Sequence, residues 1–140
     1  MDKQKNQEEF EALLRETKRE GIDYVIEDLE KGGFFEAPAS AGHHLNVPGG
    51  LCEHSLNVCH AGLAIWEGMK GLDAASMGEV KRESIIIATL LHDVCKMDIY
   101  KRAMKRRKNK LGQWEDVGDI TCRTKTFRWA MVRRVSSCCC

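Results

Sequence analysis

His92 and Asp93 stand side by side at the end of an apolar run, Ile85 to Leu91, interrupted only by Thr89, and Lys96 follows three residues later. An imidazole is a neutral nitrogen ligand and a carboxylate an anionic oxygen ligand. Burying a charge is costly unless it is paired or bound to a metal. Asp93 therefore calls for a cation, a capping partner or solvent. His54 lies earlier, on an apolar side shared with Leu51, Val58, Ala61 and Ile65. Two antiparallel packed helices would bring His54 opposite His92 and Asp93. Two imidazoles and a carboxylate suit a catalytic divalent ion with open coordination positions, and favour Mn, Fe, Co, Ni or Zn over Mg. Such an ion acidifies bound water and polarises a phosphoryl oxygen. Two other readings stay open on the residues alone: His54 as a hydrogen-bonded core histidine, and Asp93 as a residue that simply ends its helix.

The elements that would position these groups are read from apolar spacing. Phe10, Leu13 and Leu14 predict a helix over 7–20, with Glu8, Glu9 and Glu11 early in it where acids complement the helix dipole. Ile22, Val25, Ile26 and Leu29 predict a second short helix, closed by Gly32-Gly33, so that 7–31 forms a helical hairpin. Residues 34–50 (FFEAPASAGHHLNVPGG) have no period and hold both prolines, which predicts a long loop of the kind that tends to carry function. Core helices follow over 51–70 and 81–93, joined by a connection over 71–80; the second is apolar nearly all round and is expected to be central and buried. Residues 98–110 (DIYKRAMKRRKNK) read as a strongly basic helix and NKLGQW as a turn.

Composition agrees with an all-α domain. Aromatic residues make up 6% of the 140 residues against 43% hydrophobic overall, and the two prolines leave most of the chain free to be helical. The polar start MDKQKNQEEF and the absence of a long apolar stretch lead to the expectation of a soluble, cytoplasmic protein without a membrane span. The seven cysteines include no Cys-x-x-Cys pair, which favours buried thiols in a reducing compartment over disulfides. Net charge is +1 but lopsided: residues 1–30 hold ten acids and five bases, residues 101–140 twelve bases and three acids.

GGLCEHSLNV followed by LLHDVCK closely resembles the HD-domain superfamily of metal-dependent phosphohydrolases, whose pattern is a His on one helix, a His-Asp pair on a later helix and a distant Asp. The stretches FFEAPAS and HLNVPGGL resemble the lead-in of a bacterial and phage-type HD subfamily, which is also similar to the HD half of a bacterial 3′–5′ exoribonuclease. The likeness spans roughly residues 8–117. It implies an HD-like helical bundle over 1–118, with His54, His92 and Asp93 as metal ligands. It implies Asp93 as the residue that orients water, and Lys96 and His44 as contacts to substrate phosphate. The implied reaction is hydrolysis of a phosphoester in a nucleotide, another phosphorylated small molecule or a nucleic acid.

Residues 119–140 depart from that pattern. They end in a Cys triplet, and residues 121–140 contain no acid. Read one base out of register, codons for Trp129-Ala130 force glycine, Met131-Val132 force glycine again, and each Cys-Cys pair of 138–140 forces leucine. The alternative frame of 124–135 admits KNFPLGHGEKS, and a segment like FPLGHGEKS is what the resembled family carries next. The tail is thus expected to be out of frame, with the shift near Gly118–Thr121 and the bundle incomplete at that end. Asp98, Asp116 and Asp119 are the remaining carboxylates that could replace the family's distal ligand. An exposed apolar flank, weak metal affinity, low activity and possible homo-oligomers follow from that expectation. A separate reading is a non-catalytic nucleic-acid-binding or regulatory domain that uses the seven bases within 101–110.

Overall fold

The computed structural model describes residues 2–40, 44–72 and 80–123. His43, most of the expected connection 71–80 and the tail beyond Arg123 lie outside the described residues. The elements run α1 (Lys3–Glu16), α2 (Ile22–Lys31), a 3₁₀ turn (Phe34–Glu36), α3 (Gly50–Leu72), α4 (Arg82–Leu91), a second 3₁₀ segment (Val94–Asp98), β1 (Tyr100–Lys108) and β2 (Trp114–Arg123). The body up to Asp98 is helical, as an all-α domain requires.

Helix α1 begins earlier than its apolar spacing implied because Asp2 caps it, its side chain accepting from the Lys5 amide at 3.2 Å. The glutamates consequently sit inside the helix rather than in its first turn, where Glu8 and Glu11 accept from Gln4 and Gln7 one turn back. Thr17 ends it, donating its hydroxyl to the Leu14 carbonyl at 2.6 Å, and Gly21, at φ 84°, turns the chain into α2. Phe10 and Leu14 are fully buried.

The segment after α2 is an anchor as well as a loop. Phe34 and Phe35 pack with Phe10 at centroid distances of 5.1 and 5.5 Å, and Phe34 is fully buried. Backbone bonds from Ala39 N to Leu45 O (3.1 Å) and Leu51 N to Ala37 O (3.0 Å) fasten its course to the start of α3. Gly50 is indispensable there, because a Cβ at that position would collide with the Leu45 carbonyl oxygen.

Helices α3 and α4 pack directly on each other. The buried stripe of α3 is Leu51, Cys52, Ser55, Leu56, Cys59 and Trp66, which follows the helical period. The apolar face expected from Leu51 through His54, Val58 and Ala61 to Ile65 is buried only at its start: Leu51 is fully buried and His54 and Val58 half-buried, while Ala61 is exposed and Ile65 is 63% exposed. Helix α4 is likewise buried on one side only. Ile86 and Leu90 are fully buried, Ile85, Ile87 and Leu91 are half-buried, and Ala88 is exposed. An apolar run signals burial without saying on which side, and here α1 and α3 cover one side.

The expected basic helix over 98–110 is instead β1, paired antiparallel with β2 from Tyr100↔Arg123 to Lys108↔Trp114, with a register irregularity between Met104 and Arg106. The turn expected at NKLGQW is present. Asn109 Oδ1 accepts from the amides of Leu111 and Gln113 at 3.0 Å, and Gly112 adopts φ 77°. The physical reason is in the second strand: WEDVGDIT is rich in Trp, Val, Ile and Thr, which favour an extended pleat, and the turn folds it back on the preceding basic residues.

Candidate metal centre

Three elements place the site. His54 lies in the second turn of α3. His92 caps the end of α4. Asp93 follows in the bridge region of backbone space (φ −110°, ψ 15°) and opens the 3₁₀ segment. In a continuous α-helix adjacent side chains diverge by about 100°. His92 keeps helical backbone angles (φ −56°, ψ −34°), but the chain leaves the helix at Asp93, which removes that constraint, and His92 and Asp93 both turn toward α3. The 3₁₀ segment then brings Lys96 back, its amide donating to the Asp93 carbonyl at 2.8 Å.

One carboxylate oxygen is the focus. Asp93 Oδ2 lies 3.3 Å from His54 Nε2, 3.2 Å from His92 Nε2 and 2.7 Å from Lys96 Nζ. The two imidazole rings are 5.3 Å apart, centre to centre. One ligand atom from each of His54, His92 and Asp93 falls within 4.8 Å of the others, so the group can hold a metal ion. Asp93 is 18% exposed and both histidine side chains 33%, so the site is sheltered yet open to solvent on one flank.

The donor chemistry fits a cation. His92 Nδ1 lies 2.7 Å from the Thr89 carbonyl oxygen. A carbonyl only accepts, so Nδ1 carries the proton. With Nδ1 carrying the proton, the neutral ring presents its Nε2 lone pair toward Asp93 Oδ2, and the Lys96 ammonium, 2.7 Å from the same oxygen, lies beside these two facing acceptors. Fixing a histidine's tautomer through its far nitrogen is also how metal-ligating rings are oriented. His54 is held below its ordinary pKa, chiefly because burial disfavours the charged ring, with the nearby Asp93 carboxylate opposing. It is therefore in the neutral, ligand-competent form at pH 7.

His44 behaves differently. It is exposed in a turn within the loop, where its backbone carbonyl accepts from Ser40 Oγ at 3.0 Å. It is not part of the group that meets around Asp93. Two of the substitute carboxylates are also elsewhere: Asp98 is outside that group, and Asp116 pairs with Arg106 Nε at 3.2 Å on the hairpin, while the side chain of Asp119 lies outside the described residues. The cleft bordered by Gly32, Glu36, Pro38, Pro48, Met97 and Tyr100 contains none of the four convergent side chains. Cys52 and Cys59 are free, buried thiols, and burial pushes Cys52 up to about 12, which fits the reading of these cysteines as small core residues.

The residue that sequence reasoning missed is Thr89. Its hydroxyl donates to the Ile85 carbonyl at 2.6 Å while its own carbonyl accepts a hydrogen bond from His92 Nδ1–H. The signal was its position, a polar residue three before the histidine in an apolar run. Among the described residues no helix is long and apolar enough to cross a membrane. No protein-family model, curated protein or solved structure matches this chain.

Proposed function

We propose that this chain is a metal-dependent phosphohydrolase of the HD type, acting on a phosphoester of a nucleotide or nucleic acid. The observation that carries the reading is the convergence of His54, His92 and Asp93 within 4.8 Å, with Lys96 Nζ 2.7 Å from the same carboxylate. A divalent ion held by these three would supply Lewis acidity and a water of lowered pKa. Mn, Fe, Co, Ni or Zn suit the donor set better than Mg.

The remaining work falls to the chain's own groups. Asp93, whose Oδ2 faces both imidazoles and Lys96, has a second oxygen that would accept from a water and orient it. Thr89 keeps the His92 lone pair pointed inward. Lys96 provides a fixed positive charge for a phosphate, the type of electrostatic support that phosphoryl chemistry relies on. His44 is the weaker assignment, resting on the resemblance alone. With three protein ligands and an open flank, ion affinity is modest and turnover slow.

The test is elemental analysis of protein purified without added metal, followed by hydrolysis of a chromogenic phosphodiester with added Mn²⁺. Substoichiometric transition metal and slow hydrolysis are expected, and both fall to background when His92→Ala is combined with Asp93→Asn. A cooperatively folded chain that takes up none of the five metals refutes the proposal. The out-of-frame reading of the tail adds an expectation: recoding the segment after Gly118 into the alternative frame strengthens metal binding at least tenfold. Equal affinity in both chains removes that part of the proposal.

A further inference from the structure

The β1–β2 hairpin contributes no side chain to the His54, His92 and Asp93 group. It begins two residues after the 3₁₀ segment that carries Lys96, and its other packing contacts with the helical body are few. Seven of the ten residues 101–110 are Lys or Arg, against Glu115, Asp116 and Asp119 on the returning strand. Charge alone would describe an ordinary solvated face. The hairpin also exposes apolar surface where a solvated face has no use for it. Trp114 is 59% exposed and Leu111, at the turn, 83%.

These features are organised. Residues two apart along a strand share a face, so Arg106, Lys108, Trp114 and Asp116 lie together on one side of the ribbon. Arg106 is held by Asp116 at 3.2 Å. Lys108 is not set against a carboxylate but lies over the Trp114 ring, its Nζ 5.3 Å from the centroid. An indole with one face toward a lysine leaves its other face for stacking, with cations beside it.

We propose that this ribbon is a docking arm for single-stranded nucleic acid. Trp114 stacks on an unpaired base, and Lys108, with Lys110 at the turn, follows the phosphates. An aromatic platform flanked by cations is the combination that single strands require, because an unpaired base offers its π-face and a duplex does not. An acidic protein would use the charge and leave the indole idle. The arm does not depend on the phosphohydrolase reading: it binds whether or not the neighbouring centre turns over.

The experiment measures binding of fluorescent twelve-nucleotide oligothymidylate and oligouridylate to the full chain by anisotropy, in EDTA, with a duplex and polyglutamate as competitors. Both single strands bind and outcompete the duplex. Neutralising about four phosphates weakens binding roughly fifty-fold between 50 and 200 mM salt. Trp114→Ala loses about tenfold and Trp114→Phe recovers most of it, as stacking requires. Lys108→Glu with Lys110→Glu loses more and flattens the salt dependence. His92→Ala with Asp93→Asn leaves binding unchanged, so a failed metal centre and a failed arm are separable. Circular dichroism melts matching the parent chain establish that the variants fold. Preference for duplex, displacement by polyglutamate at equal charge, or an affinity indifferent to Trp114→Ala overturns the proposal.

Discussion

A lone carboxylate oxygen approached by two imidazoles and an ammonium is the residue-scale fact on which the site rests. His54 gives it a measurable pH signature. Its folded pKa lies below the unfolded value of 6.5, mainly through burial. Between those two values the unfolded chain binds the proton and the folded chain does not, so stability rises with pH across that window. The contribution is complete above 6.5 and is lost as pH falls through the folded value. Urea midpoints in EDTA should therefore drop more between pH 7.5 and 5.5 for the parent chain than for His54→Asn. Parallel drops in the two proteins would remove His54 from this role. Metal affinity should decline over the same range, since the ring must be neutral to ligate. Asp93→Asn tests the other side of the cluster. It leaves Lys96 beside two imidazoles without the counter-charge, and metal-free stability should fall by about 1–2 kcal/mol in a urea titration. Much of this was legible in the sequence, because His and Asp at the end of an apolar run are costly without a purpose. The helix break that lets the two side chains converge was not, because it depends on backbone angles at Asp93 that residue type does not dictate.

At the scale of elements, the site is set by how closely α3 and α4 approach. A Cβ at Gly62 would stand 2.9 Å from Thr89 Cγ2 and 3.4 Å from Ile85 Cγ2. Thr89 cannot swing aside without giving up its bond to the Ile85 carbonyl. Gly62→Val should force the helices apart, cost about 2–3 kcal/mol, and weaken metal binding by separating His54 from the His-Asp pair. A variant that keeps full metal affinity would show that the helix spacing is not what sets the site. Gly50→Ala should be as damaging for a different reason, since the Leu45 carbonyl cannot move without breaking the bond that ties it to Ala39. Both lower the thermal midpoint; limited proteolysis separates the two, because only Gly50→Ala also frees the loop that leads into α3. Element type was readable for the helices, where period and caps agree. It failed for 98–110, where Lys, Arg, Ala and Met favour helix locally and the strand-forming partner lies downstream of the turn. It failed also for the face of α3: Cys52, Ser55 and Cys59 form its buried stripe, while the more conspicuous Val58, Ala61 and Ile65 do not.

For the whole molecule, α1 acts as the clasp. Its polar side is tied to every layer: Lys3 to Glu36 in the 3₁₀ turn, Glu9 to His60 on α3 at 2.9 Å, and Glu16 to Arg82 on α4. These pairs are exposed and each contributes little. The energy lies beneath them, where the fully buried Phe10 meets Phe34 tilted and Phe35 edge-on. Phe10→Ala should cost about 3–5 kcal/mol, a large fraction of the roughly 5–15 kcal/mol that holds a domain together. Because Phe34 opens the segment that leads to α3, and α3 carries His54, the loss should reach the metal centre although no atom of Phe10 belongs to it. Phe10→Leu, which refills most of the volume, should restore both the melting midpoint and metal uptake. Calorimetry of the three proteins with and without Mn²⁺ decides the matter. If Phe10→Ala melts far below the parent chain yet binds the ion with parental affinity at low temperature, the centre is assembled by α3 and α4 alone. If stability and affinity fall and recover together, it is built by the bundle as one cooperative unit.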